Sequence, residues 1–258
     1  MKDKTFNLFD THCHLDFPEF STSLSKVLNS NIDKILIPGV HKSNWPKIID
    51  ITQNSNKLLA ALGIHPLEAS QQQDLQVLET LISKHTIVAV GELGLDYYHK
   101  FHNKRIQTSF FIPQLEIADK HKLPVILHVR KAHNEVLKIL SKFDNLRGIV
   151  HSFSGSLEEA KRYLKQGFIL GIGTSITYPR SKKIFEVVEE LPLSSFVLET
   201  DAPCMKINNQ PDGLNYPENL LIIAKEVARL KNIDKEYFFT EMLNQLNKQS
   251  YEILKVKK

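Results

Sequence analysis

Cysteine is scarce: Cys13 and Cys204 are the two thiols among 258 residues. Two thiols cannot staple a chain of this length, so a secreted disulfide scaffold is excluded and a reducing compartment is indicated. Long apolar runs are missing too. No stretch approaches the roughly 18 apolar residues of a membrane span, and candidates such as Leu220–Ala224 are soon broken by charge. The opening residues, MKDKTFNLFDTHCH, hold no apolar stretch of the signal-peptide kind. Neither sign of charge dominates. Lys and Arg number 33 against 29 Asp and Glu, a formal net charge of +4 with both signs interleaved. That disfavours a basic arm gripping polyanions without regard to sequence. Finally, no G-x-G-x-x-G follows the first apolar run, which weakens the reading of an open dinucleotide-binding sheet.

What is present is a rhythm. Eight short apolar runs recur: Phe6–Asp10, Ile32–Val40, Leu58–Pro66, Ile87–Asp96, Pro124–Arg130, Gly148–Gly155, Phe168–Ile176 and Phe196–Pro203. They are rich in β-branched residues and nearly continuous in hydrophobicity, as strands buried on both faces must be. Amphipathic stretches alternate with them. Gln71–Lys84, Lys104–Lys122, Ala132–Lys142, Ser156–Gln166 and Ser181–Glu190 read as helices, with Pro217–Lys231 and Lys235–Val256 after the last run. Ser156 stands before acids in a first turn, and Gly167 takes the position just past the same helix. Trp45 falls in a helical stretch and reads as core. Eightfold strand–helix alternation predicts an α/β fold of the (β/α)₈ TIM-barrel type, with residues 1–258 as one domain.

Several runs carry a residue able to bind metal at or near their C-terminal end. His12 and His14 follow the first, His65 lies in the third, Glu92 sits late in the fourth, His128 and His151 lie in the fifth and sixth, and Asp201 ends the eighth. A barrel builds its site at the C-terminal rim, so these scattered residues are expected to converge. Positions i and i+2 of an extended segment share a face, so His12 and His14 reach inward while Cys13 points away. A carboxylate at Glu92, in an otherwise apolar strand, needs a partner. Two cations would supply one, and its two oxygens can bridge them. Asp201 then joins His12, His14 and Glu92 on one ion, while His128 and His151 complete a second site with Glu92. Glu199, two residues before Asp201, either supports the site from behind or belongs to the scaffold.

Four imidazoles and two carboxylates suit two divalent ions, with mixed N/O ligation open to Zn²⁺, Mn²⁺, Ni²⁺ or Mg²⁺. Such a pair activates a water for hydrolysis of a phosphate ester, an amide or a lactone. Glu92 and Asp201 are the expected catalytic carboxylates, Asp201 as base or orienter of the water. Arg130 stands two residues after His128 and suits either a phosphate clamp or a surface ion pair. His65 suits donation to a substrate phosphate or a structural turn. Ser154 and Gly155, before a helix, suit an anion or a plain cap. Tyr97, Tyr98, His99 and Phe101 suit base stacking or packing of their loop. Cys204 is not needed as a ligand.

At these residues the sequence resembles the TatD family of metal-dependent deoxyribonucleases, within the amidohydrolase-like barrels. The motifs are D-T-H-C-H-L-D at 10–16, G-I-H-P at 63–66, G-E-L-G-L-D at 91–96, P-V-I-L-H at 124–128, H-S-F-S-G at 151–155 and E-T-D-A-P at 199–203. I-T-Y-P-R at 176–180 and N-Y-P-E at 215–218 look like the YjjV-type branch. The resemblance implies a TIM barrel, a dinuclear centre on His12, His14, Glu92, His128, His151 and Asp201, and hydrolysis of DNA phosphodiesters. The expected substrate is single-stranded DNA, with no membrane partner, and the expected protein is a cytoplasmic monomer. Metal-dependent amidase or lactonase chemistry on the same barrel, and non-catalytic metal binding, are the alternatives. One departure stands out. Many family members carry a basic R-G-K-R-N-E-P-like stretch after the last strand. Here Pro211–Pro217 lacks the arginines and keeps Asn215 and Pro217.

Overall fold

The structure of the protein, a computed structural model, describes residues 7–98, 103–211 and 213–257. Eight parallel strands follow one another in chain order: β1 (Leu8–Asp10), β2 (Ile32–Pro38), β3 (Leu58–Leu62), β4 (Ala89–Asp96), β5 (Val125–Arg130), β6 (Gly148–Val150), β7 (Phe168–Ile172) and β8 (Phe196–Leu198). The seam between β8 and β1 closes just past the strand ends. There Thr11 N donates to Leu198 O, Asp201 N to His12 O and His14 N to Ala202 O, at 3.0, 2.8 and 2.7 Å. Cys13 and Ala202 form a parallel bridge. The result is the expected (β/α)₈ TIM barrel.

Each predicted strand run contains the observed strand, but most runs overshoot its end. The run from Leu58 to Pro66 yields a strand of five residues, and Phe196–Pro203 yields three. The overshoot has a physical cause. Chain beyond the ladder, such as Gly63 with Ile64 after β3 and Glu199 with Thr200 after β8, is still buried and therefore still apolar or paired. Hydrophobicity reports burial, and at this rim burial outlasts strand conformation. Phe6, expected to open the first run, lies outside the described residues.

The helices are α1 (Leu24–Leu28), α2 (Trp45–Gln53), α3 (Gln73–Lys84), α4 (Lys104–His121), α5 (His133–Leu140), α6 (Leu157–Lys165), α7 (Lys182–Glu190) and α8 (Leu220–Leu230). The sequence gives no signal for α1, which has five residues and no side-chain cap. The expected last helix divides into α9 (Lys235–Tyr237), a π turn over Phe238–Met242 and α10 (Leu243–Leu254). At α6 the predicted boundary holds in detail. Ser156 and Glu159 form a reciprocal capping box, and Gly167 takes a positive φ of 81° just past the end. Among the described residues, no helix is long and apolar enough to cross a membrane.

Two apolar layers result. An outer layer between strands and helices includes Phe111, Tyr163, Phe196 and Trp45, whose indole donates to Gly63 O at 3.1 Å. An inner plug fills the lumen: Phe9, Leu36, Ala61, Ala89, Ile126, Ile149 and Val197, one from each of seven strands, with Leu254 of α10 added. Each fully buried Phe, Leu, Ile or Val side chain of this plug contributes about 1.5–3 kcal/mol. The strand period then positions the site. Ile126 is followed two residues on by His128, Ile149 by His151 and Val197 by Glu199, so polar groups top the plug on the same inward face.

Candidate metal centre

The first ligand group hangs on the seam. Asp10, fully buried, accepts hydrogen bonds from His12 N at 3.2 Å, Thr200 N at 3.0 Å and Thr200 Oγ1 at 2.6 Å. It thus ties the end of β1 to the end of β8. Burial pushes the Asp10 carboxyl up to about 7, against those three donors. Sequence reasoning passed over Asp10, although a carboxylate ending a buried strand is itself a signal. From this seam His12 Nε2 and His14 Nε2 converge to 3.3 Å. Asp201 Oδ1 lies 3.7 Å from the first and 3.5 Å from the second. Asn215 holds the Asp201 segment from outside, its amide donating to Thr200 O at 2.5 Å and Met205 O at 3.3 Å. The retained half of the altered family stretch is therefore structural: Asn215 braces the rim, and Pro217 opens the turn before α8. Asp212, within that stretch, lies outside the described residues.

The second group stands on β4 and β5. The register between these strands slips between Val90 and Leu93, and Glu92 sits in that irregularity, aimed inward. Gly91 and Gly94 allow the close approach: a Cβ on Gly94 would stand 1.9 Å from His128 O, and one on Gly91 2.6 Å from Ile126 Cβ. Glu92 Oε1 lies 2.8 Å from His128 Nδ1, while His128 Nε2 meets Asp96 Oδ2 at 3.1 Å. Asp96, which sequence reasoning also passed over, is 1% exposed and sets the orientation of the His128 ring.

Glu92 joins the two groups. Its Oε2 is 3.3 Å from His12 Nε2, and its Oε1 is 3.9 Å from His151 Nε2. His151 stacks on His12 with ring centroids 3.5 Å apart and presents Nδ1 to Glu199 Oε1 at 2.9 Å. Glu199 also accepts from Ser152 N at 2.6 Å. It lies against Gly171, where a Cβ would come within 2.2 Å of its carboxylate. Glu199 therefore supports His151 from behind.

Three sets of donors lie close enough to share an ion: His12, Glu92 and His151; His12, His14 and Asp201; and His65, Glu92 and His128. Two atoms bound at about 2.1 Å to one ion stand about 3.0–3.4 Å apart, close to the shortest separations found here. Electrostatics agree. Burial opposes charge on Glu92, yet His12, His65 and His151 hold it well below the usual carboxylate range. Asp201 is likewise lowered despite burial, by His14, His151 and His12. His151, though buried, is held up to about 10 by Glu199, Glu92 and Asp201, negative charge that a cation would balance in place of the ring proton. Two anionic carboxylates amid buried imidazoles form a donor set that fits divalent cations.

His65 differs. Its Nε2 is 3.7 Å from Glu92 Oε1, but its Nδ1 accepts from Leu67 N at 3.2 Å. A neutral ring accepting at Nδ1 carries its proton on Nε2, so His65 shows the site a donor rather than a lone pair. Burial pushes its pKa down to about 3, which keeps the ring neutral. Arg130 is exposed, with its guanidinium 3.8 Å over the Tyr98 ring. His99 and Phe101 lie outside the described residues. Cys204 is unpaired, and desolvation with Asp201 and Glu92 nearby pushes its thiol up to about 12, so it is no thiolate ligand.

The sequence pattern of TatD related DNase matches residues 9–250. The chain belongs to this TatD family. It is 36% identical over 244 residues to the metal-dependent hydrolase YjjV of Escherichia coli K12, covering 91% of this chain and 94% of that protein. It is 30% identical over 255 residues to human deoxyribonuclease TATDN3, covering 92% of each. The crystal structure of the TatD homologue YjjV superposes with a TM-score of 0.90 at 34% identity, covering 97% of this chain and 98% of that one. The resemblance to the TatD family and its YjjV-type branch read from the motifs is thereby established, and the chain is a metal-dependent hydrolase.

Proposed function

We propose that this hydrolase cleaves phosphodiester bonds in DNA, single-stranded by preference, with two divalent cations at the barrel mouth. The observation that carries the reading is the convergence of donor groups from opposite sides of the rim on one carboxylate, Glu92. His12, His14 and Asp201 with Glu92 form one ion site, and His128 and His151 with Glu92 the other. Mg²⁺, Mn²⁺, Zn²⁺ and Ni²⁺ all suit this N/O set. When bound, such ions act as Lewis acids and make water acidic enough to serve as nucleophile near neutral pH.

The chain's own residues do the rest. Asp201, the rim carboxylate left 15% exposed, accepts a hydrogen bond from the attacking water and orients it toward phosphorus. Glu92 holds the two sites in fixed register. His65, with its proton on Nε2, donates to a phosphoryl oxygen, and Arg130 adds a guanidinium beyond His128. Phosphate is the favoured substrate because His65 offers a donor beside Glu92, because Arg130 follows His128 by two residues, and because a named relative is a deoxyribonuclease. The centre is assembled from one chain, which suits a monomer. The unpaired Cys13 and Cys204 suit the cytoplasm.

The test is an activity screen on end-labelled single- and double-stranded DNA with a series of divalent ions, run beside a lactone and amide panel. Metal-dependent cleavage of single-stranded DNA, abolished by EDTA, is the expected result. Turnover of a lactone or amide with intact DNA would replace this reading by the amidase or lactonase alternative. No turnover of any substrate would leave a metal-binding protein.

A further inference from the structure

Beside the metal centre, beyond β5, lies an open cleft of about 580 Å³ whose wall includes Tyr97, Tyr98, Arg130, Lys131 and Lys183. A second depression of about 720 Å³ adjoins it, sharing Tyr97 and Glu135 and continuing to Lys104 and Arg105 at the start of α4. Both volumes lie within the span of small-ligand sites, about 300–1,000 Å³. The placement of charge along this path is unusual. Arg130 Cζ and Lys131 Nζ gather at one ring, 3.8 and 4.6 Å from the Tyr98 centroid. Lys104 Nζ stands 4.2 Å from the centroid of the neighbouring Tyr97. Two cations drawn to one ring repel each other, and the negative face of the ring offsets only part of that repulsion. Lys131 also has a left-handed backbone, with φ 54°, a conformation that non-glycine residues seldom adopt outside functional or tight-turn positions. Of the two acids on the cleft wall, Glu135 and Glu159, the latter is committed to the α6 capping box.

We infer that this path is a binding track for the backbone of an unpaired polynucleotide. Lys131 and Lys183 take a phosphate that flanks the scissile one, and Lys104 takes a further phosphate along the strand. Charge complementarity and the cation–tyrosine alternation carry the assignment, since single-strand grooves combine backbone cations with aromatic faces. The track rests on the proposed nuclease reading and adds a length requirement: a strand reaching past the metal centre binds tighter than a small phosphodiester does. It also accounts for a mild net charge of +4, because the cations that matter are local.

The test uses the full chain, wild type and the Lys131→Glu/Lys183→Glu double variant; both positions are exposed, so folding is undisturbed. Binding is read by anisotropy of a fluorescein-labelled oligothymidylate over a salt series. Turnover of bis(p-nitrophenyl) phosphate is measured in parallel. The expected result is a Kd for the strand raised by about tenfold or more. The salt slope should fall by about 0.7, the share of one neutralised phosphate on a single strand, while kcat and KM for the small ester stay unchanged. An unchanged Kd overturns the track, as does an equal loss on the small ester or a wild-type protein that does not bind the strand. A wild type that binds the strand through these lysines but never cuts it overturns the nuclease reading and leaves the track standing.

Discussion

The two sides of the barrel mouth are built differently. On the β1–β8 seam, His12, His14 and Asp201 ride on a backbone cross-tied by Asp10 and by hydrogen bonds from Thr11, His14 and Asp201. On the β4–β5 wall, Glu92 and His128 are aimed by a register slip and by one outer carboxylate, Asp96, and His128 is 19% exposed where His12 is fully buried. The seam is scaffold and site at once. The wall is a shallower support that faces the open cleft. Position is enforced by a many-bonded seam on one side and by a strand irregularity with a single outer carboxylate on the other, so damage to the two sides should separate into different measurements.

The largest effect should come where the two sides meet. Replacing Glu92 by Gln should lower activity by about 10³-fold or more and cut bound metal, read by elemental analysis beside kcat. Wild-type turnover at full metal content would remove Glu92 from the centre. Stripping the cations with EDTA should abolish activity and lower thermal stability. The loss is about 2.7 kcal/mol for each ion present at a hundred times its Kd, and re-addition should restore both. An unmoved melting curve would mean that the donor set binds no ion in the folded protein.

The comparison itself is tested by a pair. Asp10→Ala strands three donors on the seam and should cost about 2–4 kcal/mol in denaturant unfolding. Asp96→Asn, on the wall, should leave stability within about 1 kcal/mol while weakening metal affinity by about 10–100-fold. Equal stability losses would erase the distinction. The smallest effect belongs to a control away from both sides. Burial opposes charge on Glu159, yet the Ser156 backbone, His133 and the Ser156 side chain hold its pKa below the ordinary value of 4.5. A carboxyl lowered on folding adds stability that is present above its unfolded value and is lost as pH falls through the folded one. Glu159→Gln should therefore cost about 0.5–1 kcal/mol at neutral pH, a difference that shrinks below about pH 4.5. A cost independent of pH would show that packing, not charge, is responsible.

This contrast also explains what could be read from the amino acids. The barrel was legible because eight buried parallel strands leave eight near-continuous apolar runs. The centre was legible because His128, His151 and Glu92 interrupt those runs with groups that burial would otherwise penalise. Most strand ends were not legible, since stretches such as Gly63 with Ile64 and Glu199 with Thr200 are as buried as the ladder before them. Asp10 and Asp96 went unremarked for a related reason. Each acts through a neighbour, and a lone carboxylate does not disclose which backbone amide or imidazole it will hold. His65 was placed correctly at the rim, but its role depends on which ring nitrogen faces Leu67. Only three-dimensional contact fixes that.

Helix α10 carries a consequence for the order of synthesis. Asn247 of α10 accepts from Phe9 N at 3.0 Å and donates to Asn7 O at 2.6 Å, bonds that join positions 238 and 240 residues apart. Leu254, on the same helix, belongs to the plug in the lumen. The strand that leads into His12 and His14 is thus anchored by a residue made long after those two histidines. Truncation before Asn247 would remove this anchor of the opening strand while sparing every proposed donor atom.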